Sequence, residues 1–230
     1  MIVGSGLVAR AFAPRYAADP DTLIFASGVS NSNETGADAF ARERALLQEQ
    51  LQGDYRRVVY FGSCNVVNSQ EHSAYFQHKR AMEALVVATG RGTVLRLPQV
   101  VGHTRNPNTL TNFLRDCILQ ERQLTLWTGA ERNLIDIDDV AAIASHLLDH
   151  GTPPAVVAIA TPWSLPMPHI VDLFEQVLDR RAQRVLVDRG EGMSIDSRLS
   201  EQVARDIGID FGPDYPFRVI QKYYGTRHEA

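Results

Sequence analysis

Two stretches of this chain carry side chains that could move a proton. Tyr75-Phe76-Gln77-His78-Lys79 sets a phenol and an ammonium four residues apart, one turn from each other on the same face of a helix. A free phenol titrates near pH ~10, too high to act unaided at neutral pH. A nearby ammonium favours the phenolate and lowers that value, and a bound nicotinamide cation would do the same. Upstream, Tyr60-Phe61-Gly62-Ser63-Cys64-Asn65-Val66 puts Ser63 at the carboxyl end of a strand, where open α/β sheets bind their ligands. A hydroxyl there could share a hydrogen bond with Tyr75 and with a substrate carbonyl or hydroxyl. The Tyr-to-Lys spacing by itself equally suits an ordinary solvated helix face.

A third stretch could cradle a phosphate. Gly4-Ser5-Gly6-Leu7-Val8-Ala9 opens a helix directly after a strand. Gly4 permits a tight turn, Gly6 lets a pyrophosphate approach the backbone, and Ala9 allows close helix–sheet packing. The exposed N–H groups and the positive helix end would then face the phosphates. This is a dinucleotide-site pattern, although any short glycine-rich strand-to-helix turn has the same form. The acidic residue expected near the end of the next strand, to hold the adenosine ribose, is absent: Leu23–Ala26 runs into Ser27-Gly28. Asp19 and Asp21 precede that strand, at its wrong end. Arg10 or Arg15 could favour a 2′-phosphate but also read as solvated helix charges. The sequence leaves NAD and NADP both open.

The elements that must position these groups follow from periodicity. Strands are expected at Met1–Gly4, Leu23–Ala26, Arg57–Phe61, Thr93–Leu97 and Ala155–Ala160. Helices are expected at Gly6–Ala17, Gly36–Gln52, Ala74–Thr89, Thr109–Gln120, Asp138–Leu148, Pro168–Leu178 and Arg198–Ile207. Strand–helix alternation with runs such as Val58-Val59-Tyr60-Phe61 argues for a parallel sheet covered on both faces. Nine of the 11 prolines lie beyond Leu97, which fits a compact sheet followed by loops and helices of a second lobe, with one late strand returning. The 230 residues suit one full domain with a minor lobe.

Composition excludes several function classes. The formal charge is −4, from 23 basic and 27 acidic residues, a poor balance for a nucleic-acid groove. No apolar run approaches the ~18 residues that a membrane span needs. The opening lacks the basic flank and apolar core of a secretory signal. Two cysteines, Cys64 and Cys117, make no disulfide framework. The expected compartment is the cytoplasm.

Taken in order, Gly4-x-Gly6-x-x-Ala9, Ser63, Tyr75-x-x-x-Lys79 and Arg96-Leu97-Pro98-Gln99-Val100-Val101-Gly102 resemble the extended short-chain dehydrogenase/reductase family, in particular its nucleotide-sugar epimerases, dehydratases and reductases. Arg132 through Val140 resembles that family's Arg-containing run into an Asp-Asp-Val helix start. Ile195-Asp196-Ser197-Arg198-Leu199, followed by Asp206-Ile207-Gly208, resembles its C-terminal substrate-lobe pattern. The resemblance implies a Rossmann-like doubly wound parallel sheet. It implies a dinucleotide-binding domain at 1–98 and 134–162, and a substrate lobe at 99–133 and 163–230. It makes Tyr75 the general acid/base, Lys79 its tuner and a contact of the nicotinamide ribose, and Ser63 the group that orients the reacting oxygen. The cofactor, NAD or NADP, would lie on Gly4, Ser5, Gly6, Leu7, Val8 and Ala9, on Ala26 and Ser27, and on Pro98, Val100 and Val101. A nucleotide-sugar substrate would meet Cys64, Asn65, His103, Arg105 and Arg132, whose fork suits paired phosphate oxygens. No metal is implied. In that family the equivalents of Gly36–Gln52 and Ala74–Thr89 form a four-helix dimer contact, so a homodimer is implied, with no nucleic-acid or membrane partner.

The departures are specific. Only one strand–helix unit separates the glycine turn from the Ser63 strand, and Phe25–Val29 looks like the family's later strand beside the nicotinamide. The adenosine half is therefore truncated. Only 11 residues separate Ser63 from Tyr75, a short substrate loop. Cys64-Asn65 replaces the Asp-Glu pair of family dehydratases, and Cys64 stands one place early for the cysteine of epimerising fucose synthases. Plain 4-keto reduction or C4 epimerisation remains. The alternative is a non-catalytic module of the same fold that senses a dinucleotide or nucleotide sugar. His146 and His150, at i and i+4, read as a solvated helix end. Cys117 reads as core, and Trp127 and Trp163 as lobe-packing aromatics.

Overall fold

The structure is a computed structural model; it describes residues 1–29, 31–32, 34–67 and 73–225. The chain divides into two compact units, Met1–Leu97 with Val140–Ile159, and Pro98–Asp139 with Ala160–Ala230.

The first unit is a five-stranded, all-parallel sheet. Its strands are β1 (Ile2–Val3), β2 (Thr22–Phe25), β3 (Arg57–Ser63), β4 (Gly92–Leu97) and, after β5–β7 of the other unit, β8 (Val156–Ala158). They lie in the order β1-β2-β3-β4-β8, which leaves β1 at an edge. The helices of this unit are α1 (Leu7–Tyr16), α2 (Ala37–Gln50), α3 (Ala74–Val87) and most of α5 (Ile137–Asp149). This is the expected Rossmann-like class, a buried parallel sheet with helices on both faces.

Side-chain alternation along β3 shows which helix lies on which face. Tyr60 points to a cluster with Leu23, Phe25, Val58 and Val94 from the sheet, Leu47 from α2, and Met82 and Val86 from α3. Its neighbour Phe61 points the other way and meets Phe12 of α1 edge-on, with ring centroids 5.0 Å apart. Arg15 of α1 pairs with Asp149 of α5, so α5 lies beside α1. The steps β1→β2 and β2→β3 advance in one direction across the sheet, yet α1 and α2 cover opposite faces. The two crossovers therefore have opposite hands. Right-handed crossovers account for ~98% of such units, so one of these two departs from that rule.

The second unit carries β5 (Gln99–Val101), β7 (Glu131–Asp136) and β9 (Ser164–Pro166) in one small sheet. The parallel pair β6 (Leu124–Trp127) and β10 (Arg184–Val187) forms another. Its helices are α4 (Leu110–Leu119), α6 (Met167–Leu178), α7 (Arg198–Asp206) and α8 (Tyr215–Tyr224). Leu114, Ile118, Leu134, Ile170, Phe174 and Ile220 are among its core residues. A polar latch ties α8 to the end of β7. Lys222 Nζ donates to Asp136 Oδ2 and Asp138 Oδ2, each at 2.7 Å, and the Tyr215 hydroxyl donates to Asp139 Oδ2 at 2.6 Å.

Phe12 is 1% exposed and joins α1 to the sheet. Phe12→Ala should cost about 3–5 kcal/mol, measured by urea denaturation. A loss below ~1 kcal/mol would show that α1 does not pack on the Phe61 face.

Candidate active site

Helix α3 starts where Ser73 accepts the Phe76 N–H at 3.4 Å, an N-cap that satisfies one orphan donor of the first turn. Its buried residues are Tyr75, Phe76, Lys79, Met82, Glu83 and Val86, a single stripe at helical spacing. Tyr75 and Lys79 thus lie on the core-facing side, and the solvated-face reading of their spacing is excluded. Two charged residues on an apolar stripe need partners, because an unpaired buried charge is costly. Glu83 is held by Arg96 of β4, through Nη2 to Oε2 at 2.7 Å and Nε to both carboxylate oxygens at 3.2 Å.

Lys79 finds its partners on other elements. Its Nζ donates to the Tyr60 hydroxyl at 3.0 Å and to Glu43 Oε1 at 3.2 Å, and the Tyr60 hydroxyl donates to the same Glu43 oxygen at 3.0 Å. The other oxygen, Oε2, accepts the Val29 N–H at 2.8 Å and His78 Nε2 at 3.0 Å. Glu43 and Lys79 are each 5% exposed. The backbone of Gly28 lies against the pair. A Cβ there would stand 2.8 Å from Glu43 Oε1 and 3.0 Å from Lys79 Nζ. Burial raises the Glu43 carboxyl, but the Lys79 charge and the donated hydrogen bonds outweigh it, holding the group below its ordinary value of 4.5. Burial pulls Lys79 below its ordinary value against the opposing charges of Glu43 and then Glu83.

Glu43 and Tyr60 are the functional residues that motif reading misses. A signal for Glu43 exists. It falls on the stripe of Phe40, Leu47 and Leu51, an acid at an apolar position of α2.

The Tyr75 ring packs edge-on to Phe76 and lies 5.8 Å from Lys79 Nζ. Burial, followed by the charge of Glu43, pushes its phenol up to about 12. This corrects the expectation of a lowered value: burial and the Glu43 charge act against the phenolate, and the Lys79 ammonium is bonded to Glu43 and Tyr60. The Tyr75 hydroxyl makes no hydrogen bond among the described residues. Ser63, at the end of β3, accepts the Asn65 N–H at 3.3 Å. Residues 68–72 of the expected substrate loop lie outside the described residues.

The glycine turn has the form its residues require. Gly4 adopts φ +123°, and a Cβ there would sit 2.5 Å from the Ala26 carbonyl oxygen, so only glycine fits against the Ala26-Ser27 backbone. A Cβ on Gly6 would meet nothing within 4 Å. Gly6 caps α1 without any side-chain bond, Ser5 is exposed, Leu7 and Val8 are half-buried, and Ala9 is buried against the sheet.

Residues 15–160 match the family described as the NAD-dependent epimerase/dehydratase family. The chain belongs to that family. No curated protein matches it. Among solved structures, the UDP-glucuronic acid 4-epimerase of Bacillus cereus, in complex with UDP-glucuronic acid and NAD, is 14% identical, with a TM-score of 0.68 over 88% of this chain and 74% of that one. RMD of Pseudomonas aeruginosa, complexed with NADPH, is 17% identical, with a TM-score of 0.66 over 96% and 97% of the two chains. The UDP-glucose 4-epimerase of Thermus thermophilus, in complex with NAD, is 16% identical, with a TM-score of 0.68 over 94% and 80%. At these identities the likeness is one of fold.

The residues of this epimerase/dehydratase chain fit one part of a dinucleotide well. Open space at Gly6, the sharp backbone at Gly4 and the uncapped first turn of α1 suit a pyrophosphate. The described sheet ends at β1, however, with no strand beyond it to carry a carboxylate for the adenosine ribose. Arg15 is committed to Asp149, and Arg10 donates to the Ser5 carbonyl at 3.1 Å. Two more expectations need correction. Cys64 is buried and its Sγ donates to the Arg96 carbonyl. Burial pushes its thiol up to about 12, so it packs where a substrate contact was expected. Val101, expected beside the nicotinamide, is fully buried in the core of the second unit, which leaves Val100 on the opposite face of β5 and Pro98 half-buried. In that unit His103 stands edge-on to Tyr223, Arg105 is exposed, and Arg132 Nη1 donates to the Glu131 carbonyl.

Because Glu43 titrates lower folded than unfolded, it stabilises the fold above its unfolded value, and that contribution is lost as pH falls through its folded one. Glu43→Gln should cost about 3 kcal/mol at neutral pH, since it strands the Lys79 charge. It should also flatten the fall in thermal midpoint between about pH 5 and pH 3. Circular-dichroism melts of both proteins across that window check this; parallel acid limbs would disprove it.

Proposed function

We propose that the protein is an NAD(P)-dependent oxidoreductase acting on a nucleotide-activated sugar, by 4-keto reduction or C4 epimerisation, with Tyr75 as the acid/base. The observation that carries this reading is the Tyr75 side chain, its ring buried and its hydroxyl left without a hydrogen bond to any described residue, beside the lysine that the family pattern requires. Family membership supports the reaction class. The named relatives, solved with UDP-glucuronic acid, NAD or NADPH, support the substrate class. In this reading the first unit holds the dinucleotide on Gly4–Ala9, Ala26 and Ser27. Pro98 and Val100 serve the same cofactor, and His103, Arg105 and Arg132 meet the sugar nucleotide.

A nicotinamide dinucleotide, when bound, supplies or accepts the electron pair of the redox step. The chain's own residues handle the proton. Ser63 Oγ orients the substrate oxygen, and Tyr75 Oη donates its proton to that oxygen as the carbonyl becomes a hydroxyl. The resulting phenolate lies beside the Lys79 ammonium, whose charge is shared with Glu43. A phenol held near 12 is fully protonated at neutral pH, the state that reduction needs.

One observation favours a second reading, a non-catalytic sensor of a dinucleotide or nucleotide sugar: β1 is an edge strand, so the adenosine side of the described sheet is missing. Calorimetric titration with NADH and NADPH, with and without a sugar nucleotide, and turnover assays separate the two. Tyr75→Phe should lower turnover by about 10²–10⁴-fold with cofactor affinity nearly unchanged. Near-normal turnover in that variant would remove Tyr75 from the mechanism.

The homodimer belongs to the same proposal. Helices α2 and α3 share one face of the sheet, and their outer sides present Ala41, Ala45 and Gln48, and Gln77, Ala81 and Ala84, small enough for close helix packing. Sedimentation at micromolar concentration should give twice the mass of one chain, and Ala81→Arg should halve it. A wild-type monomer would refute the contact.

A further inference from the structure

We propose that Glu43 is a positioning residue of this site. By closing an ion pair with Lys79 behind the Tyr75 ring, it withholds the lysine's charge from the phenol and biases the site toward giving a proton over taking one. The inference rests on the reading of Tyr75 as the proton-handling group, and it adds the direction in which that group is set.

Three features of the geometry carry it. First, the lysine is engaged: two of its three donors go to Tyr60 and Glu43, and the Gly28 backbone lies against the pair, where an added Cβ would stand 2.8 Å from the carboxylate and 3.0 Å from Nζ. Second, the carboxylate is fixed from four sides, by Val29, His78, Tyr60 and Lys79, so it cannot swing away when the site fills. Third, Tyr60 bridges the two charges, donating to Glu43 while accepting from Lys79, which sets the positions of both heads.

Among the described residues, Glu43 from α2, Tyr60 from β3 and Lys79 from α3 bear on the phenol, and Glu83 further along α3 is paired with Arg96 of β4. Lys79 and Glu43 cancel, and Glu83 and Arg96 cancel. The phenol therefore faces a nearly neutral, desolvated environment, and burial dominates its titration. A lone lysine at the same place would favour the phenolate.

The test follows the phenol itself and requires no cofactor, so it stands apart from whether the chain turns over a sugar nucleotide. The protein is labelled with ¹³Cζ-tyrosine, and the resonance missing from Tyr75→Phe is assigned to Tyr75. In the wild type this resonance should hold still up to about pH 11. In Glu43→Gln it should titrate about one to two pH units lower, because the Lys79 charge is released toward the ring. Lys79→Met should not lower it, and Glu43→Gln with Lys79→Met should return it to the wild-type value. If the single glutamate variant does not fold, Lys79→Met is compared with the double variant. Removing the uncompensated carboxylate must then lower the Tyr75 value, and equal values overturn the proposal. A folded Glu43→Gln whose Tyr75 titrates within about 0.3 pH units of wild type overturns it too. Where turnover is measurable, the same variant should shift its pH profile for reduction to lower pH by the same amount.

Discussion

A lysine and a glutamate pointing inward from neighbouring helices, joined by a tyrosine hydroxyl, set the terms for the rest of the first unit. Burying either charge alone would be prohibitive. Lys79 can therefore sit on the core stripe of α3 only because Glu43 occupies the facing stripe of α2, and Glu43 only because Val29, His78 and Tyr60 satisfy its remaining lone pairs. That requirement fixes the rotation of both helices and the inward face of β3. The placement of Tyr75 is a consequence, since it rides one turn ahead of Lys79 on the same helix.

The second constraint is topological. With β1 adjacent to β2 and nothing described beyond it, the unit has no point at which strand order reverses, the usual crevice of such sheets. The glycine turn is still carried at the carboxyl end of β1 by a helix on the face away from α2 and α3. The opposite hands of the first two crossovers follow from those two facts together, and Phe12 against Phe61, with Arg15 on Asp149, holds α1 on its face.

Much of this was legible in the sequence, for physical reasons that differ by element. Helices α2, α3, α4, α5 and α6 announce themselves by apolar stripes, and Ser73 and Thr109 mark two of their starts. The strands β2, β3 and β4 are continuous apolar runs, as buried parallel strands must be. The short strands of the second unit are not legible: β5, β9 and β10 have three or four residues each, too few for a period, and β9 includes a proline. Helix α8 opens Tyr-Pro-Phe and depends for its place on Asp136, Asp138 and Asp139, contacts that no local pattern encodes. At the site, spacing singled out Ser63, Tyr75 and Lys79 but misjudged the state of the phenol. Spacing records which groups are near in sequence, whereas the state of the phenol depends on a carboxylate 36 residues from the lysine and on the water excluded around it.

Strand β1 consists of two residues paired on one side only, yet it is the anchor from which Gly4 and Gly6 project. Such a strand sits at the low end of a protein's spectrum of local stability. Opening it exposes little apolar surface and leaves the β2–β4 centre intact. An anion held by those amides would bind only the closed form, so saturation would tie down the amino-terminal segment by mass action. Amide exchange at Ile2 and Val3 is thereby linked to occupancy of the turn, and the weakest part of the sheet reports on what the site contains.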